Sequence, residues 1–414
     1  MNMTKCVFSL AAVFVVAPLF AATYYVSPTG SPEASGTESD PLDLATGIEK
    51  CYSYSHDELR FLPGTYMCGN PNNTYWQIIG GDTTFTGWGA TRDDVILDYE
   101  GAGRTFRITN GRVSNLVITN FNCGSGTAAV NVFGGGILSN CVVTCGRSYG
   151  VNPAIEAALV VDCEISHIDG VGATYGAAIG NNSADARGKI VRCFVHDNVY
   201  PGNSTGGAGG YLKYGEVNSC VFSNNISAAW GGGLLVVNSV RILNSTFYEN
   251  SSASVGGGAI SMSSNCLLDN CTFVQNSCTG SGGALYCPTA TGVAVRNCLF
   301  NHNATWREAA DADIDSVTVK STCVFSSASN QNCFNAENGN LVVADPLFVD
   351  AAQGNYRLQR KSPCVNKGLP LDWITADARD LDGGPKNPRL VGAFVDLGCY
   401  EYQPVLFGSC IYLR

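Results

Sequence analysis

Apolar and polar positions alternate along this chain in short bursts, and between Ser219 and Asn303 the bursts recur at a nearly fixed interval. SCVFSNN at Ser219 returns as NSTFYEN at Asn244, NCTFVQN at Asn270 and NCLFNHN at Asn297. Between these phrases stand glycine runs that lead into apolar residues: GGYL at Gly209, GGLL at Gly232, GGAI at Gly257 and GGAL at Gly282. Aligning on the residue after the polar turn extends the pattern upstream, through Leu116, Cys141, Cys163, Cys193, Cys220, Ser245, Cys271 and Cys298, at spacings of 22 to 30 residues. A period of two dozen residues filled by short strands predicts a solenoid with coils about 4.8 Å apart, so that equivalent residues of successive coils touch. The expected fold is all-β, a right-handed parallel β-helix with about three strands per coil.

Stacking turns the alignment into columns with physical meaning. Two residues after the aligned position come Ile118, Val143, Ile165, Val195, Phe222, Phe247, Phe273 and Phe300. Side chains alternate along a strand, so this apolar column and the cysteine column share the inner face, and the cysteines are expected to be buried thiols. Cys278 with Cys287 and Cys364 with Cys399, outside the column, are the better disulfide candidates. Five residues after the aligned position stand Asn198, Asn225, Asn250, Asn276 and Asn303, which predicts a turn ladder bonded through side-chain amides. After the glycine pairs, Leu212, Leu235, Ile260 and Leu285 are expected to face inward.

Residues 1–22 carry Lys5, an apolar run from Cys6 to Leu19 and small residues at Ala21 and Ala22, the pattern of a secretory leader. No apolar stretch is long enough to predict a transmembrane helix. A short helix over Asp43–Ser53, with Asp43 as cap, is expected to close the open end of the stack. The β-helix is assigned to residues 23–343, a less regular region to 344–402, and a short tail to 403–414. Composition fits this picture: 48 glycines and only 14% charged residues suit strands and tight turns. A net charge of −10 argues against nucleic-acid binding, which needs basic stripes.

Candidate chemistry is confined to positions that vary from coil to coil. Four residues after the aligned position stand His167, Asp197, Asn224, Glu249, Gln275 and His302. His167 and Asp197 are expected to be neighbours, with Asp197 and Glu249 two coils apart, a separation compatible with a pair of glycosidase carboxyls. Together His167, Asp197 and Glu249 are the candidate catalytic set; a solvated turn accepting any polar residue is the competing reading. Tyr211, Lys213, Trp230, Tyr286 and Trp306 are expected in turns or on outward strand positions, where rings can stack on sugars, and form the candidate ligand-binding set. DADID at Asp311 offers alternating aspartates of the kind calcium uses, but Ser316 and Thr322 stand where an EF-hand loop needs glycine and glutamate, so no metal or cofactor is assigned.

The alternation of GGAI-like phrases with FYEN, FVQN and FNHN resembles the repeats of polymorphic outer membrane proteins, which implies an exported β-helix with a role in adhesion. ADPLFVDAAQGNYRLQRKSPCVNKG from Ala344, DLDGGPKNPR from Asp380 and VDLGCYE from Val395 resemble the end of choice-of-anchor Q domain proteins, and YYVSPTG and FLPGTY are similar to their start. Such proteins carry an anchoring tail after the Tyr-Glu phrase, whereas only a dozen residues follow Tyr402 here. The reading from the sequence is therefore a secreted or cell-surface scaffold that contacts glycans without catalysis. A polysaccharide lyase or glycoside hydrolase is the alternative.

Overall fold

The computed structural model describes residues 21–403 apart from 52–55, 70–76, 125–127, 154–157, 182–186, 203–204, 255, 288–291, 306–313, 316–322, 326–339, 385–386 and 392. Most of the expected leader, the tail, Trp306 and the start of DADID lie outside the described residues. Among the described residues no helix is long and apolar enough to cross a membrane.

The strands pair in parallel, coil upon coil. Among the described residues sheet 1 has eleven strands, running from Thr23–Val26 to Ala294–Arg296, and sheet 2 has twelve, from Gly64–Met67 to Leu341–Val342. The third side differs between the two halves. Upstream it is one four-stranded sheet that includes Ala128–Phe133 and Tyr149–Pro153. Downstream it divides into a narrow five-stranded sheet 3a, beginning at Val199–Tyr200, and a six-stranded sheet 3b, which includes Tyr211–Leu212 and Leu234–Val236. The glycine runs account for the division. Gly257 has φ +49, and a Cβ there would come within 2.0 Å of the Ile260 carbonyl oxygen, so the backbone kinks where only glycine fits. Upstream coils thus have the three strands expected, and downstream coils have four.

Two left-handed residues turn each coil at its corners. One precedes the aligned position, as at Asn140, Asp162, Arg192, Ser219, Asn244, Asn270 and Asn297, and the other follows the sheet 2 strand, as at Cys145, His167, Asp197, Asn224, Glu249, Gln275 and His302, all with φ between 49° and 59°. Between these corners the interior columns form as the periodicity predicts. Phe222, Phe247, Phe273 and Phe300 are fully buried and stack with ring centroids 4.9, 5.2 and 4.8 Å apart. Each aligned cysteine donates to the carbonyl two residues back, as Cys163 does to Val161 at 3.2 Å and Cys271 to Asp269 at 3.3 Å. Ser245 makes the same bond to Leu243 at 2.7 Å, which explains why a hydroxyl can replace a thiol in this column. The asparagine ladder is continuous: the side-chain amide of Asn198 donates to Asn225 Oδ1 at 2.9 Å, and the chain runs on through Asn250 and Asn276 to Asn303.

The capping helix spans Leu44–Lys50, shorter than expected, and the Asp43 carboxylate accepts from the Thr46 amide at 2.8 Å. It seats Gly47 against Val26 at the open end of sheet 1. At the other end, Phe348–Asp350 and Asn355–Leu358 form an antiparallel hairpin. Phe348, Tyr356, Leu358, Cys364 and Leu397 pack with Val274 and Leu299 of sheet 2 in a second hydrophobic core. The rest of this C-terminal region is tied to a turn column: Asn244 donates to the Arg379 carbonyl at 3.0 Å, Asn270 to that of Asp396 at 3.3 Å and Asn297 to that of Leu369 at 2.8 Å. Cys364 and Cys399, a candidate disulfide pair from the sequence, are separate buried thiols.

Candidate functional site

The outward face of sheet 2 presents two side-chain columns, because each of its three-residue strands points its first and third residues away from the core. The register places Val142, Glu164, Phe194 and Val221 in one, and Thr144, Ser166, His196 and Ser223 in the other. Farther along, the same columns run beneath the C-terminal region. The open stretch therefore centres on Glu164, Phe194 and His196.

A chain of charges crosses this open stretch. His196 Nδ1 lies 2.6 Å from Asp197 Oδ2, and its Nε2 lies 3.3 Å from Glu164 Oε1. Arg92 donates to the other Glu164 oxygen at 2.6 Å. The Phe194 ring stacks on the imidazole at 3.9 Å between centroids, while the His167 ring meets it edge-on at 5.9 Å. Asn224 donates to the remaining Asp197 oxygen. Burial alone would raise the Asp197 pKa, but the hydrogen bonds from His196 and Asn224 and the charges of His196 and His167 outweigh it and hold the carboxyl below its ordinary value. Each ring nitrogen of His196 faces a carboxylate, so neither is open to a ligand.

Of the three expected catalytic residues, the fold brings two together and sets the third apart. His167 and Asp197 line one open depression of about 450 Å³ with Asp169, Val171, Val199 and Pro201. Glu249 lines a different one of about 690 Å³, with Tyr248, Gln275, His302 and the hairpin residues Ala351 to Gly354 and Tyr356. Two coil steps, about 10 Å, separate Asp197 from Glu249, and the hairpin stands over the latter alone. That separation is the one the periodicity gives, and the two acids line different depressions. His196 and Glu164 hold the centre instead. Glu164 appears in the sequence as the single acid of its column, whereas His196 stands in the neighbouring outward column, three residues after Cys193; reading both outward columns would have found it.

The aromatic set also changes. Tyr211, Leu235, Ser261 and Tyr286 form one outward column of sheet 3b, while Leu234, Ile260 and Leu285 face inward. The expected inward position of Leu235 is corrected: GGYL and GGLL are offset by one residue, and a one-residue slip reverses the side chain. Tyr211 is not the exposed ring expected. It is only 5% exposed, because the Tyr175 ring lies over it at 5.1 Å. Trp230 and Tyr286 are half-buried, with centroids 5.8 Å apart. A Cβ on Gly256 would meet both rings, at 2.6 Å from Tyr286 and 2.8 Å from Trp230, so the glycine makes room for the pair. Lys213 is half-buried at the strand end, where its amide donates to Asn181 O at 3.1 Å. Among the described residues no group of three His, Cys, Asp or Glu side chains is arranged to hold a metal ion.

A family model described as a right handed beta helix region matches residues 128–300, the coils that carry these columns. The chain folds as an all-β right-handed parallel β-helix. Among solved structures, a pectate lyase, Pel9A, aligns over 92% of this chain and 96% of its own at 14% identity with a TM-score of 0.51, a likeness of fold. A rhamnogalacturonan lyase aligns over 86% of this chain and 97% of its own at 15% identity with a TM-score of 0.37. No curated protein sequence matches the chain.

Proposed function

We propose that this β-helix is an exported scaffold that binds an extended polysaccharide or cell-surface glycan without cleaving its glycosidic bonds. The observation that carries the reading is the aromatic strip on sheet 3b: Tyr175 over Tyr211, and Trp230 beside Tyr286, two ring pairs on one outward face. Tyr211, which carries the half-buried Tyr175 ring, and Tyr286 are three coil steps apart, about 14 Å, so the rings left partly open, Tyr175, Trp230 and Tyr286, suit a ligand lying along the axis. Sugar C–H faces pack on π-rings, and rings already held by a neighbour lose little freedom on binding. The leader-like pattern of residues 1–22 and the resemblance of residues 344–402 to choice-of-anchor Q proteins support export and a surface role. The net charge of −10 weighs against a nucleic-acid partner.

The charge chain on sheet 2 weighs against glycoside hydrolysis. A glycosidase needs one carboxyl held protonated beside the scissile bond, and there Glu164 is tied to Arg92 while Asp197 is held below its ordinary value. The reading is tested by affinity electrophoresis against acidic and neutral polysaccharides. At least one is expected to retard the protein, with no new reducing or unsaturated ends, and Trp230→Ala with Tyr286→Ala is expected to weaken retardation at least about tenfold, given stacking contributions of about 1–3 kcal/mol in related ring systems. Release of such ends, abolished by Asp197→Ala, would replace this reading with a lyase or hydrolase.

A further inference from the structure

The depression beside Glu249 lies between the turn column of the stack and the C-terminal hairpin. Tyr248, Val274 and Asn301 are register partners in sheet 2, and Asn250, Asn276 and Asn303 continue the asparagine ladder. Glu249, Gln275 and His302 stand between these two rows, at equivalent positions in three successive coils about 4.8 Å apart. All three are left-handed corners, at φ 55°, 54° and 53°, and all three are exposed. The hairpin turn from Ala351 to Gly354 supplies the other wall, and Tyr248 and Tyr356 complete the lining.

A buried hydroxyl is left open here. Tyr356 is 2% exposed, with its ring held against Phe348 at 5.3 Å and against Tyr248 at 5.5 Å between centroids. It nevertheless lines the depression, and its hydroxyl has no hydrogen-bond partner among the described residues. A phenol buried to that extent costs free energy unless something bonds to it. Burial first, and then the charge of Glu249, pushes its pKa up, so the hydroxyl keeps its proton and remains a donor.

The other groups of the lining define what would fit. The Glu249 carboxylate and the Gln275 side-chain amide also have no partner among the described residues, and Glu249 is the one carboxylate in a lining without lysine or arginine. One unpaired negative charge thus stands beside aromatic rings, with neutral hydrogen-bonding groups strung along the coils. A carboxylate with aromatic faces suits an ammonium group. An amide and a phenol suit hydroxyls. At about 690 Å³ the space is that of a small-ligand site.

We propose that this depression is a binding subsite for an amino sugar with a free amine, its ammonium against Glu249 and Tyr248 and its hydroxyls on Gln275 and Tyr356. The subsite lies at the corner after sheet 2, apart from the aromatic strip of sheet 3b, and does not rest on that strip binding a glycan.

Isothermal titration calorimetry of the full chain at pH 6, with a glucosamine trimer and with its N-acetylated counterpart, tests the proposal. The free-amine trimer is expected to bind, and the acetylated one at least about tenfold more weakly, because acetylation removes the charge. Glu249→Gln is expected to weaken the free-amine trimer at least about tenfold. Tyr356→Phe, which keeps the ring under the hairpin, is expected to weaken it about threefold or more while the thermal midpoint is preserved. Glu38→Gln removes an exposed acid at the other end of the stack and is expected to change nothing, which separates the site from general attraction to a chain of net charge −10. No binding, equal binding of the two trimers, or binding unaffected by Glu249→Gln or by Tyr356→Phe would each overturn the proposal. A trilysine peptide bound as tightly as the trimer, with the same dependence on Glu249, would overturn the assignment to a sugar. Trp230→Ala with Tyr286→Ala is expected to leave the titration unchanged, so failure of the strip and failure of this subsite are read separately.

Discussion

The two halves of the sheet 2 outward face are built on one repeat and meet different surroundings. Around Glu164, Phe194 and His196 the face is open, and Phe194 is 37% exposed. Three coils on, Thr272 and Val274, and four coils on, Leu299, occupy the same columns at no more than 1% exposure, covered by the C-terminal region. The backbone register does not change between them. Inner columns are therefore constrained by the stack itself, whereas outward residues record what lies on top: apolar and hydroxyl groups under the cover, ionic pairs and an exposed ring beside it.

Breaking the cover should affect only the covered half. Arg389 is fully buried, donating to the carbonyls of Asp396 and Gly398 at 2.8 and 2.7 Å, with Asp380, Asp396 and Glu401 buried around it. Arg389→Met leaves those carboxyls without their cation, a loss of about 3–5 kcal/mol. Limited proteolysis is expected to remove residues beyond 344 while the upstream coils stay intact; simultaneous loss of both halves would show that the cover and the stack unfold as one unit.

A smaller and more direct contrast comes from truncating equivalent outward residues. Leu299→Ala, under the cover, is expected to cost about 2–4 kcal/mol through lost burial and the cavity left behind. Phe194→Ala, in the same column on the open face, should change stability by less than about 0.5 kcal/mol. Chemical denaturation of the two variants measures the difference, and equal destabilisation would mean that the open face is covered in solution.

The mildest perturbation, pH, should act with opposite sign on the two halves. Burial pushes Glu401 up to about 8 and Asp380 up to about 6, and backbone hydrogen bonds and Arg389 offset this only in part. The covered state therefore holds more protons than the opened one between the ordinary carboxyl values and about 8. Its stability from these groups is full at acid pH and lost as pH rises through that window. Asp197, held below its ordinary value, stabilises the open half above that value and ceases to do so as pH falls through its lowered one. Hydrogen exchange, corrected for intrinsic rates, should show residues 344–402 opening more readily at pH 9 than at pH 5; protection that rises with pH there would contradict the assignment.

The parts of this protein that could be read in one dimension are those where period becomes contact. The cysteine, phenylalanine and asparagine columns were legible because each residue's neighbours are its own equivalents one period away. One error within that regime has a local cause: Leu235 slipped by one position where an extra glycine precedes it. Tyr211 was misjudged for another reason, since Tyr175, which covers it, lies in a loop outside the repeat.

Sequence alone determined the solenoid and its inner columns, because stacking makes each of these a nearest-neighbour property; the left-handed corners fall one residue before the asparagines, at Asp197, Asn224, Glu249, Gln275 and His302. Tertiary structure decided which outward residues see solvent. The docking of residues 344–402 onto Asn244, Asn270 and Asn297 sets the hairpin over Glu249 and leaves His167 and Asp197 uncovered, and those contacts join segments from 72 to 135 residues apart. Nothing periodic encodes such a contact: it depends on the shape and hydrogen-bonding groups of two surfaces that exist only once each has folded.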